Sequence, residues 1–540
     1  MDETPPPKPV ASKREIKKRA RRQFPALVRS MGLRTLLFTF VLIAVGAVCK
    51  PWKWEWLRPD EAVSIAEEFL FSQGVKLERY TLIQAAEYRS SGVWSSTEDD
   101  AGFVINPAVG YVLRYFQEGR DDSWRINVSP AGQIYEVNRD LPEGEPGYEL
   151  DRDEALELIQ QYLGADLGIA VLHLDFVRDS LMQMPQRTDW NFVFSSIDFP
   201  AHADLLKVRL SGRQITKLSF ESSNPIPPAP LRGGAARNRM IEFALIMFGV
   251  LQIMIHHRTP LAWRKGILWG GIAFFIILAI RGLTIQQAAL LLPAEGDMQD
   301  FLMRVALGGV VEALQGSILV ALIVATGEAI SRDLLPNVTT FTRIAPSHRG
   351  WIGSWVQAAR WALPAASMIL ALEAGMSVFY DPSGLSGRAL PIIAGALSSP
   401  VQAVTTAALV AKDVLWHEGL YRLWLFPLLI FWIRGPFTAL VVSAGVATYF
   451  AGFDIEQMIG IGGLQYLLWG IVAAWLTMRI GIFCAMLFHL LVLGGYVGLA
   501  LLWTGFAITA GILTLFAIMI LLIVIALKGE QALHITPSET

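Results

Sequence analysis

From residue 241 to residue 528 the chain is a succession of apolar runs separated by short polar breaks, and no other feature constrains its fold as strongly. A perpendicular crossing of a bilayer takes about 20 apolar residues in a helix. On that measure the runs at 240–255, 266–283, 305–327, 361–380, 391–411, 420–433, 437–453, 461–478, 480–503 and 505–527 are expected as spans, several of them short. Composition agrees: 53% of residues are hydrophobic and only 17% charged, against about 25% charged in an average globular protein. The charge deficit is uneven, since 51–240 has the polar content of a water-exposed module. A formal charge of −2 excludes a globally basic nucleic-acid binder. Cys49 and Cys484 both lie in or beside apolar segments and provide neither a disulfide framework nor a redox pair.

The basic stretch KREIKKRARR at 13–22 precedes the apolar run Leu36–Cys49. Positive charge before an apolar run marks the cytoplasmic side. We therefore expect a basic cytoplasmic tail over 1–34 and a transmembrane anchor over 35–50. A cleaved signal peptide is the competing reading, but no small-x-small cleavage site precedes Lys50. Trp52, Trp54 and Trp56 suit the headgroup level.

Two stretches of the water-exposed module resemble each other. PDEAVSIAEEFL and RDEALELIQQYL each place acids ahead of apolar residues at helical spacing, which puts negative charge at the positive end of the helix dipole. Each is followed by alternating segments: TLIQAAEYR, GYVLRYF and WRINVSPAGQIYEVNRD, then LHLDFVRDS, DWNFVFSSI and LLKVRLSGRQITKLSF. Period-two alternation predicts strands with one wet and one buried face. Gly132 and Gly212 mark hairpin turns. The helix with its small antiparallel sheet, and a last hairpin carrying Trp124, Val128, Gly132 and Ile134, resembles a PepSY-type module, here in tandem over 57–222. The resemblance implies a binding or regulatory domain outside the membrane. A proline-rich then glycine-rich linker follows at 223–239.

Within the apolar half, 240–528, ionisable residues are functional candidates by default because each is costly in hydrocarbon. Glu242, Glu312, Glu328 and Glu373 sit in or at the ends of runs; Lys412, Asp413, His417, Glu418 and Arg422 cluster; His489 stands alone. Glu418 and Arg422 are four residues apart, hence on one helix face. The Glu328 segment TGEAISRD repeats the acid-to-Arg spacing and reads as a helix end with an i,i+4 ion pair. Basic residues at 256–265 and 332–360 are expected on the cytoplasmic side, matching an exterior module. A polar tail closes the chain at 529–540.

His417-Glu418-Gly419-Leu420-Tyr421-Arg422, followed by Arg479-Ile480-Gly481 and then His489, resembles the motif set of the CAAX-protease and bacteriocin-processing (CPBP) family of intramembrane endopeptidases. The resemblance covers roughly 300–505. It implies an all-α multispanning bundle, peptide-bond hydrolysis of membrane-associated proteins or peptides, and catalytic roles for Glu418, His489, His417 and Arg422. The family's first glutamate falls on His417, its second-motif histidine falls near Tyr449–Phe453 where there is none, and its asparagine falls on Leu493. A base at His417, or a metal held by His417, Glu418 and His489, would be needed in place of the missing acid. No cofactor is assigned.

The expected whole is a multi-domain membrane protein, an exterior α+β module followed by an all-α bundle, in the inner (cell) membrane of a bacterium. Its expected partners are bilayer lipid and a membrane protein or peptide, and not nucleic acid. Two further readings stand beside the hydrolase. One is a CPBP-like scaffold or sensor that binds without cutting; the other is a transporter, which the lack of paired inverted repeats disfavours.

Overall fold

The structure is a computed structural model that describes residues 56–88, 109–117, 120, 122–165, 167, 169, 173–196, 204–221, 260–291, 298–341, 343, 350–377, 384–450, 461–505 and 507–534, with pieces around 34–44 and 243–253. The basic tail, the linker at 223–239, Glu242 and the stretch holding Asp454 and Glu456 lie outside the described residues.

Helix followed by four strands occurs twice along the N-terminal half. The first set is α1 (Pro59–Ser72), β1 (Thr81–Tyr88), β2 (Val109–Phe116), β3 (Ser123–Val128) and β4 (Ile134–Asp140). The second is α2 (Arg152–Ala165), β5 (Asp175–Met184), β6 (Arg187–Ser195), β7 (Leu205–Ser211) and β8 (Gln214–Glu221). Both helices begin on side-chain caps, one-way in α1 and reciprocal in α2. Arg58 N–H donates to Glu61 Oε2 at 2.8 Å with Pro59 in the first turn. Asp151 Oδ1 accepts from Glu154 N–H at 2.8 Å while Glu154 Oε2 accepts from Asp151 N–H at 3.3 Å. The hairpin glycines carry the left-handed backbone that their turns require, Gly132 at φ +88° and Gly212 at φ +56°.

All eight strands join one antiparallel sheet in the order β1-β2-β3-β4-β8-β7-β6-β5, so the two sets meet through β4 and β8. Gln73, just past α1, ties the sets together: its Oε1 accepts from Ile215 N–H at 2.9 Å and its backbone oxygen from Gln214 Nε2 at 2.8 Å.

One expectation needs correcting. Alternation predicts a wet face on every strand, yet β2 is buried at all of its positions. Tyr111, Leu113 and Tyr115 share a core with Ala62, Ala66 and Phe69 of α1. On the opposite face Val112 and Phe116, with Ile83 and Ala85 of β1, pack against Ala289, Leu290, Met298 and Phe301 from the helical half. Arg114 on that face donates from Nη1 to Leu290 O at 3.1 Å. The face read as wet is a docking face. The free edge of β1 is closed in the same way, since Ser398 Oγ accepts from Ala86 N–H at 2.9 Å and Gln287 Nε2 donates to Ala86 O at 2.9 Å.

The C-terminal half is mostly helical. Its helices are α3 (Trp263–Leu283), α4 (Ile285–Ala289), α5 (Met298–Leu334), α6 (Gly350–Ser377), α7 (Gly384–Leu397), α8 (Gln402–His417), α9 (Phe426–Ile433), α10 (Pro436–Phe450), α11 (Ile461–Arg479), α12 (Ile482–His489), α13 (Gly495–Trp503) and α14 (Ile508–His534). Two π-helical segments, Glu418–Leu425 and Leu490–Gly494, run between α8 and α9 and between α12 and α13. Among the described residues four helices are long and apolar enough to cross a membrane: Trp263–Leu283, Met298–Leu334, Ile482–Trp503 and Ile508–Ile525.

The single span expected at 391–411 is instead two helices, broken between α7 and α8. Pro400 is the cause: it has no N–H to continue the ladder, and it disfavours helical geometry in the residue before it. Ser399 fills the gap, its Oγ accepting from Val401 N–H at 3.2 Å.

Tyr80, between α1 and β1, is half-buried and hydrogen-bonded to Asp122, and burial with that neighbouring carboxylate pushes its phenol up to about 12. A folded-state value raised above the unfolded one gives stability that is full below the unfolded value, near 10, and is lost as pH rises through the folded value. The difference in phenolate absorbance between the wild type and Tyr80→Phe should therefore have its midpoint near 12. A midpoint near 10 would show a solvated phenol.

Candidate functional site

The polar residues of the helical half converge where α8 passes into its π segment. Pro427 explains that segment: lacking an N–H, it cannot bond the carbonyl of Leu423 four residues back, and its ring crowds it. The freed Leu423 carbonyl accepts instead from Ser331 Oγ of α5 at 3.3 Å. The wider turn begins at Glu418, directly after Asp413 and His417 on the last turns of α8. The second π segment likewise begins directly after His489. Such segments often accompany functional sites.

Asp413 is the hub. Its Oδ2 lies 3.0 Å from His489 Nε2 and its Oδ1 3.3 Å from His417 Nδ1. The same His417 nitrogen is 3.2 Å from the backbone oxygen of Asp413. His489 Nδ1 donates to Glu418 Oε1 at 2.8 Å. Both ring nitrogens of His489 thus face carboxylates. A neutral imidazole has one donor and one acceptor nitrogen, and Arg388 Nη1, 3.3 Å from His489 Nε2, stands where the acceptor nitrogen would take a hydrogen bond from it.

Arg422 lies behind Glu418, Nε to Oε2 3.9 Å, and donates from Nη1 to Ser443 Oγ at 3.1 Å. Ser443 in turn donates to Tyr421 O at 2.9 Å, tying α10 to the π segment. Arg388 of α7 lies on the other side, with Nη2 3.5 Å from Asp413 Oδ2 and its guanidinium over the rings of Tyr466 and Trp469. Trp469 also meets the His489 ring edge-on, centroids 4.8 Å apart.

The four residues singled out in the sequence, Glu418, His489, His417 and Arg422, are brought together. Asp413 and Arg388 join them and were not chosen as site residues. Asp413 had a signal, its i,i+4 spacing to His417; Arg388 had none, because nothing in the spacing of α7 points to α8 and α12.

Arg479, by contrast, ends α11, while His489 ends α12, the two helices being separated by Gly481. The Arg-x-Gly stretch has a backbone role: Ile482 N–H donates to Thr339 O at 3.0 Å, and Gly481 at φ +134° leaves no room for a Cβ, which would stand 2.3 Å from that oxygen. Glu328 is not at an exposed helix end; it is fully buried and accepts from Thr340 Oγ1 at 2.6 Å. Arg343 closes the same end of α5, donating to the carbonyls of Arg332 and Val338 at 3.1 Å each. Glu312 pairs with Arg281. Where the family's second histidine was sought, Tyr449 and Phe450 end α10, and Leu493 is buried in the second π segment. Among the described residues no group of three or more His, Cys, Asp or Glu is arranged to hold a metal. Both nitrogens of His489 are already turned to carboxylates, so it does not fit the metal set with His417 and Glu418.

No protein-family model, no curated protein and no solved structure matches the chain.

Removing one partner of a buried charged network leaves the others uncompensated and typically costs about 3–5 kcal/mol, whereas a hydrogen bond to a charged group, such as that of Ser443 with Arg422, is worth about 1.5–3 kcal/mol. Thermal unfolding in nanodiscs should therefore fall most for Glu418→Gln, less for Asp413→Asn, which is partly exposed, and least for Ser443→Ala. Equal, small shifts for all three would mean that the groups do not act as one network.

Proposed function

We propose that the helical half is a CPBP-like intramembrane endopeptidase, a hydrolase that cuts membrane-associated proteins or peptides, with His417 as the base that activates water. The observation that carries this is the His417–Asp413 pair. An imidazole donating from Nδ1 to a carboxylate has its tautomer fixed, with Nε2 bare and able to accept a proton. His417 stands where the family places a glutamate, and Asp413 supplies the carboxylate one turn earlier.

In this mechanism Nε2 of His417 takes a proton from water as the oxygen attacks the scissile carbonyl carbon. The C–O bond forms and the carbonyl pair becomes an oxyanion, which the Arg388 guanidinium at the partly exposed side of the array stabilises. The C–N bond then breaks, and the imidazolium returns its proton to the leaving nitrogen. Glu418 and His489 hold Asp413 from behind, and Arg422 with Ser443 holds Glu418. The two helix-plus-four-strand sets are, on this reading, tandem PepSY-like modules at the exterior face of a bacterial inner membrane, seated directly on the bundle that contains the site.

A second reading, a non-cutting scaffold or sensor, is favoured by one observation. Glu418, Arg422 and His489 are almost wholly enclosed, as in a network whose task is to hold helices together.

The two readings part in cells that carry the wild type, no protein, His417→Ala or Glu418→Gln at matched level. Mass spectrometry of membrane-protein amino termini should find termini present only with the wild type. If the wild type and His417→Ala give identical termini while the deletion alone alters partner abundance, the scaffold reading holds and the peptidase reading is wrong.

A further inference from the structure

One indole, that of Trp469 on α11, lies against two members of the array at once. The guanidinium carbon of Arg388 stands 5.1 Å from its ring centre, and the His489 ring meets it edge-on with centroids 4.8 Å apart. Both neighbours face the same carboxylate oxygen. Asp413 Oδ2 is 3.0 Å from His489 Nε2 and 3.5 Å from Arg388 Nη2, whereas Oδ1 is 3.3 Å from His417 Nδ1. Trp469 therefore backs the groups on one side of Asp413, and His417 occupies the other.

Arg388 depends on such backing. Its Nη2 makes no hydrogen bond, and an ion pair with Asp413 constrains the charge without setting the plane of the guanidinium. Aromatic faces set that plane, because a guanidinium stacks flat on them. Tyr466, one turn before Trp469, supplies a second face 4.8 Å away, and the two rings are 5.6 Å apart. Phe488, next to His489, closes on Trp469 edge-on at 6.4 Å. At 5% exposure the indole has little room to turn inside a close-packed bundle.

On the peptidase reading, the Arg388 guanidinium stabilises the oxyanion and Asp413 holds the tautomer of His417. A displacement at either place reaches the chemistry, and misplacement by about 1 Å can cost about 100-fold in rate.

We propose that Trp469 is a positioning residue for the reaction. It touches no reacting atom; it fixes Arg388 and His489 against Asp413 Oδ2, so that Oδ1 stays turned to His417. The role in catalysis rests on the peptidase reading. The hold on the guanidinium rests on the ring contacts alone.

The test pairs a spectrum with a cell assay. Protons over an aromatic face are shifted upfield by its ring current. The side-chain N–H signals of Arg388 therefore report the hold, in the full chain labelled with nitrogen-15 arginine in nanodiscs and assigned by their loss in Arg388→Lys. Trp469→Leu should move those signals toward an unstacked arginine and, at matched protein level in cells, lower the wild-type-only amino termini about 100-fold. Trp469→Phe keeps a ring and should restore part of both. Trp475→Leu removes another indole of α11, one that pairs with Trp361, and should change neither. Unmoved Arg388 signals in Trp469→Leu would overturn the inference, as would termini that persist at the wild-type level while the signals move. So would an equal loss of termini in Trp475→Leu, which would mark a general loss of packing. Failure of the peptidase reading looks different: the wild type itself then yields no termini of its own, and the positioning role falls with it. Arg388 signals that still move in Trp469→Leu would in that case leave the ring contacts as a structural hold on a protein that does not cut.

Discussion

A carboxylate that faces two imidazoles at once fixes much of what lies around it. Asp413 meets His489 through one oxygen and His417 through the other, so a single carboxylate sets the spacing of the two rings. Because His489 also donates to Glu418, the long helix that passes from α8 into its π segment is tied to α12 at the depth of the array. The π geometry follows from Pro427, and the Leu423 carbonyl that it frees is taken by Ser331, while Ser443 of α10 donates to Tyr421 O in the same segment. A local backbone defect thus becomes the point where four helices are joined by polar contacts, in a place where apolar packing alone would be nonspecific.

The sheet is joined to the same bundle through an apolar patch and a closed edge. Ser398, which caps β1, lies just beyond the end of α7, the helix that also carries Arg388. The strand-bearing half and the array therefore share one structural element. Alternation along β2 conceals this arrangement, since a face covered by another domain has the same period as a face covered by water; only Val112 and Phe116, large and apolar on the face read as wet, hinted at it.

Much of the architecture was legible in the sequence because it is local. The acid-led helices, the hairpin glycines and the strand segments depend on propensity and spacing, and they occur where those signals place them. Pro400 was a local signal too, outweighed by the apolar composition of 391–411. The site was legible only in part. His417, Glu418 and Arg422 lie on one helix, and His489 stood out as a lone polar group in an apolar run. Arg388 and Ser443 are neither unusual residues nor regularly spaced from the others, and their roles arise from tertiary proximity that no single-chain period encodes. The Arg-x-Gly stretch marks a tight backbone crossing at Gly481, where its spacing to His489 had suggested chemistry.

The central claim is that His417, held by Asp413, is a neutral imidazole with a bare Nε2. Nitrogen-15 spectra of the full chain in bilayers, with its 8 histidines labelled, test it directly when His417 is assigned by its loss in His417→Asn. The account predicts that at neutral pH His417 shows a protonated Nδ1 and an unprotonated Nε2. A His417 protonated at Nε2 alone would contradict it.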